Sequence, residues 1–265
     1  MTLGLVCIDV DGTLVGTGGV IPEVVWDAVS EARAAGIHLC LTTGRPAFGV
    51  AREYARRLDD SAWHIFQNGA SIVNVSSLAS RSEGLPSVAL ANLVNLARRT
   101  NRILEVYTDD AYAVERTDRA AVEHAALLGV PFVPRDLLSL DGKVVRAQWV
   151  VPLAMKDELL SEANEDLTVS PATSPVMPDA LFVSLTKPGV SKASAVTAVA
   201  ASYGVPLERV MMVGDAHNDV GAMGVVGHAV AMGNADADAR EAARYHVGHV
   251  DAGGLAQALR LALTL

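Results

Sequence analysis

Short apolar runs recur along this chain, and each stops abruptly at a cluster of polar side chains. Leu3–Ile8 ends at Asp9-Val10-Asp11-Gly12-Thr13, Ile37–Leu41 at Thr42-Thr43-Gly44-Arg45, and Val210–Val213 at Gly214-Asp215-Ala216-His217-Asn218-Asp219. Runs this short and this apolar suit strands buried on both faces of a parallel sheet. Helical patterns lie between them. Pro22 to Ala35 puts Val24, Val25, Ala28, Val29 and Ala32 on one stripe, with Pro22 suited to a first turn and Gly36 to the position past the end. A second helix is expected from Pro46 to about Leu58, then a strand at Trp63–Phe66. Strand–helix–strand–helix–strand is the signature of a parallel α/β sheet.

The last third resumes that rhythm. Ser191 can cap a helix with Val196, Val199, Ala200 and Tyr203 on one stripe, closed by Gly204. Beyond Val210–Val213 come a helix near Asn218, a strand near Ala229–Met232, and helices near Asp236–Ala243 and Gly254–Leu263. The middle has another texture. Leu104–Tyr107 and Tyr112–Glu115 flank Thr108-Asp109-Asp110-Ala111 as a hairpin, Val144–Val151 and Leu181–Leu185 are further strands, and Ser170–Pro178 reads as a loop. Helices are expected near Ser87–Arg99, Arg119–Leu128 and Leu153–Ala163. The pattern predicts an α+β domain at residues 81–185 spliced into a parallel α/β core made of 1–80 and 186–265. Both are ordinary domain sizes.

Composition removes several function classes. With 51% apolar and 19% charged residues in 265, the chain has the means to bury a core and is not disordered. The net charge is −9 and the lysines are four, Lys143, Lys156, Lys187 and Lys192, which argues against nucleic acid as a partner. No apolar run approaches the length of a membrane span, and no basic stretch precedes one at the N-terminus, so neither membrane insertion nor a signal peptide is expected. Cys7 and Cys40 lie inside strand-like runs and read as reduced core thiols rather than a disulfide framework. A cytoplasmic monomer or homodimer is the resulting expectation.

Ligands of parallel α/β sheets bind at the carboxyl ends of the strands, where these polar clusters would sit. Each cluster admits two readings by itself. Asp9 and Asp11 are either turn-forming aspartates or oxygen ligands for a divalent cation such as Mg²⁺. Thr42-Thr43-Gly44-Arg45, just before Pro46, is either an ordinary cap or an anion site at a helix start. Lys192, in the first turn of its helix, is either solvated or neutralised by an anion between it and the helix end, with Lys187 a nearby competitor. Asp215, Asn218 and Asp219 either cap a helix or complete a cation shell. A single phosphate–magnesium site accounts for all four clusters at once.

Taken in order, Asp9-Val10-Asp11-Gly12-Thr13, Thr43, Lys192 and Gly214-Asp215…Asn218-Asp219 resemble the four motifs of the haloacid dehalogenase superfamily. Asn68-Gly69-Ala70, Gly189-Val190-Ser191-Lys192 and Ala231-Met232-Gly233-Asn234-Ala235 resemble its Cof-type subgroup of sugar-phosphate phosphatases. The inserted segment matches only loosely. The resemblance implies a Rossmann-like parallel core with helices on both faces, carrying an inserted α+β cap.

It also implies roles. Asp9 would be the nucleophile that forms an aspartyl-phosphate, and Asp11 the general acid and then base. Mg²⁺ would be held by Asp9, the Asp11 carbonyl, Asp215 and, through water, Asp219. Thr43, Gly44, Arg45, Lys192 and Asn218 would bind the phosphoryl group and substrate. An acid at position 11 points to phosphate-ester hydrolysis or phosphomutase chemistry, and family frequency favours hydrolysis of a small phosphorylated metabolite. A phospho-accepting signalling module is the remaining alternative, although such modules are shorter and lack a cap. Only 31 residues separate Asp11 from Thr43, whereas Thr43 to Lys192 spans 149, which leaves room for a cap that would close over the site and read the leaving group. Two departures from the family pattern stand out. Ala193 follows Lys192 where glycine is common, and Gly221 is expected to interrupt the helix after Asp219.

Overall fold

The computed structural model describes residues 3–161, 166–174 and 176–265. In chain order the elements are β1 (Leu5–Ile8), α1 (Glu23–Ala34), β2 (His38–Leu41), α2 (Val50–Asp59), β3 (Trp63–Phe66) and β4 (Ser71–Asn74). There follow α3 (Ser87–Thr100), β5 (Ile103–Tyr107), β6 (Tyr112–Val114), α4 (Arg119–Leu128), β7 (Arg146–Pro152), α5 (Lys156–Ser161), β8 (Thr168–Ser174) and β9 (Met177–Thr186). The chain closes with α6 (Lys192–Ser202), β10 (Val210–Gly214), α7 (His217–Met223), β11 (His228–Ala231), α8 (Ala237–Ala242), β12 (Tyr245–His246) and α9 (Gly254–Ala262). Two compact units emerge, one of residues 1–45, 51–80 and 191–265, the other of 46–50 and 81–190. Residues 46–50 and 186–190 thus fall on the other side of the boundaries read from sequence.

The first unit is built on a parallel five-stranded sheet of order β12-β11-β10-β1-β2. β1, β2, β10 and β11 are buried almost throughout, which is why their sequences do not alternate. Leu5, Cys7, Cys40 and Met212 pack with Val196 and Val199 of α6 and Met223 of α7. α1 and α9 contact each other and also touch β2 and β10, respectively. On α1 the buried stripe includes Trp26 where Val24 was expected, and Val24 is exposed. Cys7 and Cys40 are buried free thiols, register partners on neighbouring strands.

Two expectations for this unit are corrected. The Trp63–Phe66 strand does not extend the parallel sheet but forms an antiparallel pair with β4, and an isolated parallel bridge from Ile65 to Thr42 ties it beside β2. The second helix starts at Val50 rather than Pro46. Gly49 takes a left-handed φ of +61° that an α-helix cannot contain, and Phe48 packs with Tyr107, Tyr112 and Ala121 of the second unit. The amides of Thr42–Arg45 are therefore not a helix N-terminus.

The second unit carries an antiparallel sheet of order β6-β5-β7-β9-β8. Leu104, Val106, Trp149 and Val183 pack with Leu93 and Val94 of α3, and Ile103, Val150 and Phe182 pack with Ala121 and Ala125 of α4. The segment read as a loop at Ser170–Pro178 is mostly strand. Pro171 is accommodated because β8 is the edge of the sheet, where a missing N–H costs no ladder bond. The helix expected at Leu153–Ala163 is a 3₁₀ turn at Leu153–Met155 followed by α5, and Ala163 lies outside the described residues. Among the described residues no helix is long and apolar enough to cross a membrane.

Candidate active site

Parallel pairing of β1 with both β2 and β10 sets Ile8 beside Leu41 and Val213. The ladder continues one step past the strands. Asp9 N–H donates to the Val213 carbonyl at 3.0 Å and Thr42 N–H to the Ile8 carbonyl at 2.8 Å. Three polar clusters far apart in sequence thereby leave the sheet side by side at its carboxyl edge, where α/β folds place ligands.

Lys192 joins them. Ser191 caps α6 by accepting the Ser194 N–H, and this start point sends Lys192 inward rather than to solvent. Gly69 makes the approach possible. Its φ is +104°, and a Cβ there would lie 2.2 Å from the Ser191 carbonyl oxygen. The Lys192 side chain is 2% exposed and its Nζ donates to Asp9 Oδ1 and to Asp219 Oδ1, both at 2.6 Å. The solvated-lysine reading is thus overturned, and Lys187 is not a competitor, since it is exposed and paired with Glu83.

Asp219 caps the start of its helix and also reaches Lys192. Its Oδ2 accepts the Asp215 and Ala216 N–H groups at the start of α7, while Oδ1 holds Lys192. Gly214 leaves the space for this carboxylate, because a Cβ there would be 2.4 Å from Asp219 Oδ2. Asp215 lies against Gly12, whose φ is +88° and whose missing Cβ would be 2.0 Å from Asp215 Oδ2. Thr13 Oγ1 donates to Asp215 Oδ1 at 3.2 Å. One carboxylate oxygen from each of Asp9, Asp215 and Asp219 lies within 4.8 Å of the others.

The charge balance of this cluster is uneven. Three carboxylates face one ammonium, and no second cation contacts them in the hydrogen bonds just described. Burial, reinforced by the Asp219 charge and only partly offset by Lys192, raises the Asp9 pKa well above the carboxylate range. Burial and Asp219 likewise raise that of Asp215 to about 6, against the Thr13 hydrogen bond and Lys192. Burial works against the charge of Lys192, but Asp219 and Asp9 outweigh it and hold the ammonium protonated. Three carboxyl groups set against one ammonium offer hard oxygen donors at close range, a set that fits a divalent cation.

The remaining sequence candidates divide. Asp11 is exposed, and Arg45 grips it through Nε and Nη2 at 2.9 and 2.6 Å. Thr43 is buried, with its hydroxyl accepting the Arg45 N–H at 3.1 Å. Gly44 lies next to Asn68, whose Oδ1 would be 3.1 Å from a Cβ at position 44. Asn218 sits exposed in the first turn of α7 and takes no part in these hydrogen bonds. Gly221 does not interrupt α7. It faces α6, and a Cβ there would be 3.9 Å from that of Ala193, so the two departures from the expected pattern meet as a small–small helix contact.

A haloacid dehalogenase-like hydrolase family model matches residues 6–259. The chain belongs to that family. Among curated relatives, 5-amino-6-(5-phospho-D-ribitylamino)uracil phosphatase YcsE of Bacillus subtilis is 25% identical over 97% of this chain and 94% of its own. A haloacid dehalogenase-like hydrolase from Bacteroides thetaiotaomicron superposes with a TM-score of 0.84 at 24% identity, over 98% of this chain and 99% of its own. The subclass IIB sugar phosphatase BT4131 gives 0.80 at 21% identity, over 97% and 98%. The Cof-type assignment and the enzyme class read from sequence, a phosphoric monoester hydrolase, stand with the family match.

The roles of Thr13, Gly69 and Asn234 become visible only in the fold, although all three lie in Asp9-Val10-Asp11-Gly12-Thr13, Asn68-Gly69-Ala70 and Gly233-Asn234-Ala235. The signal for the glycine was its place beside a cluster, which demands a close backbone approach. Nothing in the sequence links Asn234 to a loop 222 positions away.

Proposed function

We propose that the chain is a magnesium-dependent phosphatase of a small phosphorylated metabolite, a sugar phosphate or similar monoester, working through an aspartyl-phosphate on Asp9. The observation that carries this reading is the buried Asp9–Lys192–Asp219 chain with Asp215 beside it. A nucleophilic carboxylate held by an ammonium, with uncompensated negative charge next to it, is an arrangement that stability alone would disfavour. Mg²⁺ bound by Asp9, Asp215 and Asp219, with the Asp11 carbonyl, would supply charge neutralisation for an anionic nucleophile meeting an anionic phosphate.

The side chains carry the rest. Asp9 forms the new P–O bond as the ester P–O bond breaks, and the departing alkoxide takes a proton from Asp11. Asp11 then accepts a proton from the water that attacks phosphorus, and Asp9 is released with inorganic phosphate. Lys192 holds Asp9 in place and offers positive charge to the phosphoryl oxygens. The Thr43 hydroxyl, already an acceptor from Arg45 N–H, keeps its own proton to donate to the same oxygens. Arg45 fixes Asp11 at the mouth of the site. The inserted unit, residues 81–185 in the sequence reading, is proposed to select the leaving group.

Hydrolysis of p-nitrophenyl phosphate, with and without EDTA, is the first test. Turnover should vanish with EDTA and return with Mg²⁺, and Asp9→Asn should lower kcat by at least ~10⁴-fold, as loss of a covalent nucleophile does elsewhere. Full turnover in EDTA, or by Asp9→Asn, would refute the reading. A panel of phosphorylated metabolites then identifies the substrate.

A further inference from the structure

We infer that Asn234 is the positioning residue that fixes Asp215 for cation binding, an inference that rests on the magnesium-dependent reading above. Asn234 follows β11 in the phrase Gly233-Asn234-Ala235, and its side chain joins three segments remote in sequence. Its Nδ2 donates to the Gly12 carbonyl at 2.7 Å and to Asp215 Oδ2 at 3.3 Å, and its Oδ1 accepts the Val250 N–H at 3.0 Å.

The chemistry of the partners determines which way the amide points. A backbone N–H can only donate and a backbone carbonyl can only accept. Val250 therefore requires the amide oxygen and Gly12 requires the NH₂, so the second N–H has to face Asp215. Thr13 holds Oδ1 of the same carboxylate and Asn234 holds Oδ2, so each oxygen has one donor and keeps lone-pair capacity for a cation. The plane of Asp215 is thereby set from both edges. Gly12, pressed against Oδ2, is itself anchored by Asn234, so the loop after β1 that carries Asp9 and Asp11 and the loop after β10 that carries Asp215 share one clamp. Partners that orient a metal-binding carboxylate typically contribute 10- to 100-fold in affinity.

Mn²⁺ binding to the full chain, read by loss of the free-ion EPR signal, tests this without relying on turnover. Asn234→Ala should weaken Mn²⁺ binding by ~10- to 100-fold. Asn234→Ser, a milder change should the alanine variant fold poorly, should weaken it in the same direction. Gln257→Ala serves as the structural control. Gln257 accepts the Gly248 N–H and so braces the same C-terminal loop as Val250, but it does not touch Asp215. That variant should lower Tm and leave Mn²⁺ affinity within about twofold of wild type. Wild-type affinity in the Asn234 variants, or equal weakening by Gln257→Ala, would overturn the assignment. Wild-type protein that binds no Mn²⁺ would instead remove the cation reading, and the inference with it.

Discussion

His64 is a buried base that should make the fold acid-sensitive in a pH range where its ordinary relatives are inert. It lies on β3 with no exposed surface, its Nδ1 accepts the Leu41 N–H at 3.0 Å, and its Nε2 stands 2.7 Å from the Asp59 carbonyl. Both partners are backbone groups of fixed polarity, so the ring is neutral with its proton on Nε2. Protonating Nδ1 would aim one N–H at another at a fully buried position. Burial lowers the pKa from 6.5 to about 4, outweighing the Asp59 carbonyl. Below pH 6.5 the unfolded chain takes up a proton that the folded chain refuses until pH 4, so stability falls as pH falls through that window. At 1.36 kcal/mol per unit the full loss is ~3 kcal/mol, and ~2 kcal/mol of it is reached at pH 5. Urea unfolding of wild type and His64→Gln at pH 7 and pH 5 isolates this contribution. The variant should be less stable at pH 7, and the gap should shrink by ~2 kcal/mol at pH 5 because glutamine does not titrate. An unchanged gap, or an imidazole NMR titration near 6.5, would refute the reasoning. Since His64 and the Ile65–Thr42 bridge both hold β3 beside β2, and Thr43 N–H donates to the Ile65 carbonyl, the same protonation should loosen Thr43.

Two further perturbations probe the site directly. Lys192→Met leaves Asp9 and Asp219 buried with no ammonium, and in EDTA it should destabilise the protein by ~3–5 kcal/mol at pH 8. Asp9, whose folded pKa is raised, regains a proton, and so stability, as pH falls. The deficit in urea unfolding should therefore be smaller at pH 5, and an equal deficit at both would count against a charged cluster. Gly12→Ala forces an alanine into a φ of +88° and drives its Cβ into Asp215. The backbone strain alone is ~1 kcal/mol, and displacement of Asp215 should cut kcat by at least ~100-fold, which Tm and turnover measurements resolve separately.

The features legible in the residues alone are those governed by local rules. Burial of both sheet faces demands unbroken apolar strands, so β1, β2 and β10 were legible, and each strand's end was marked by the polar residues that stopped it. Which polar residues follow β1 and β10 and open α6 could be read the same way, because their types and positions suffice. Other features depended on what the chain meets in space. The helix expected at Pro46 begins at Val50 because Phe48 joins an apolar cluster with Tyr107 and Tyr112, and the third strand, held beside β2 by one parallel bridge, pairs along its length with β4. Only the fold could show that Lys192 is buried between Asp9 and Asp219 rather than solvated, since 183 positions separate the first pair. Asn234 belongs to the same class. A hydrogen bond is short-ranged and indifferent to sequence separation, so the clamp on Gly12 and Asp215 exists only once the loops after β1, β10 and β11 are brought to one edge of the sheet.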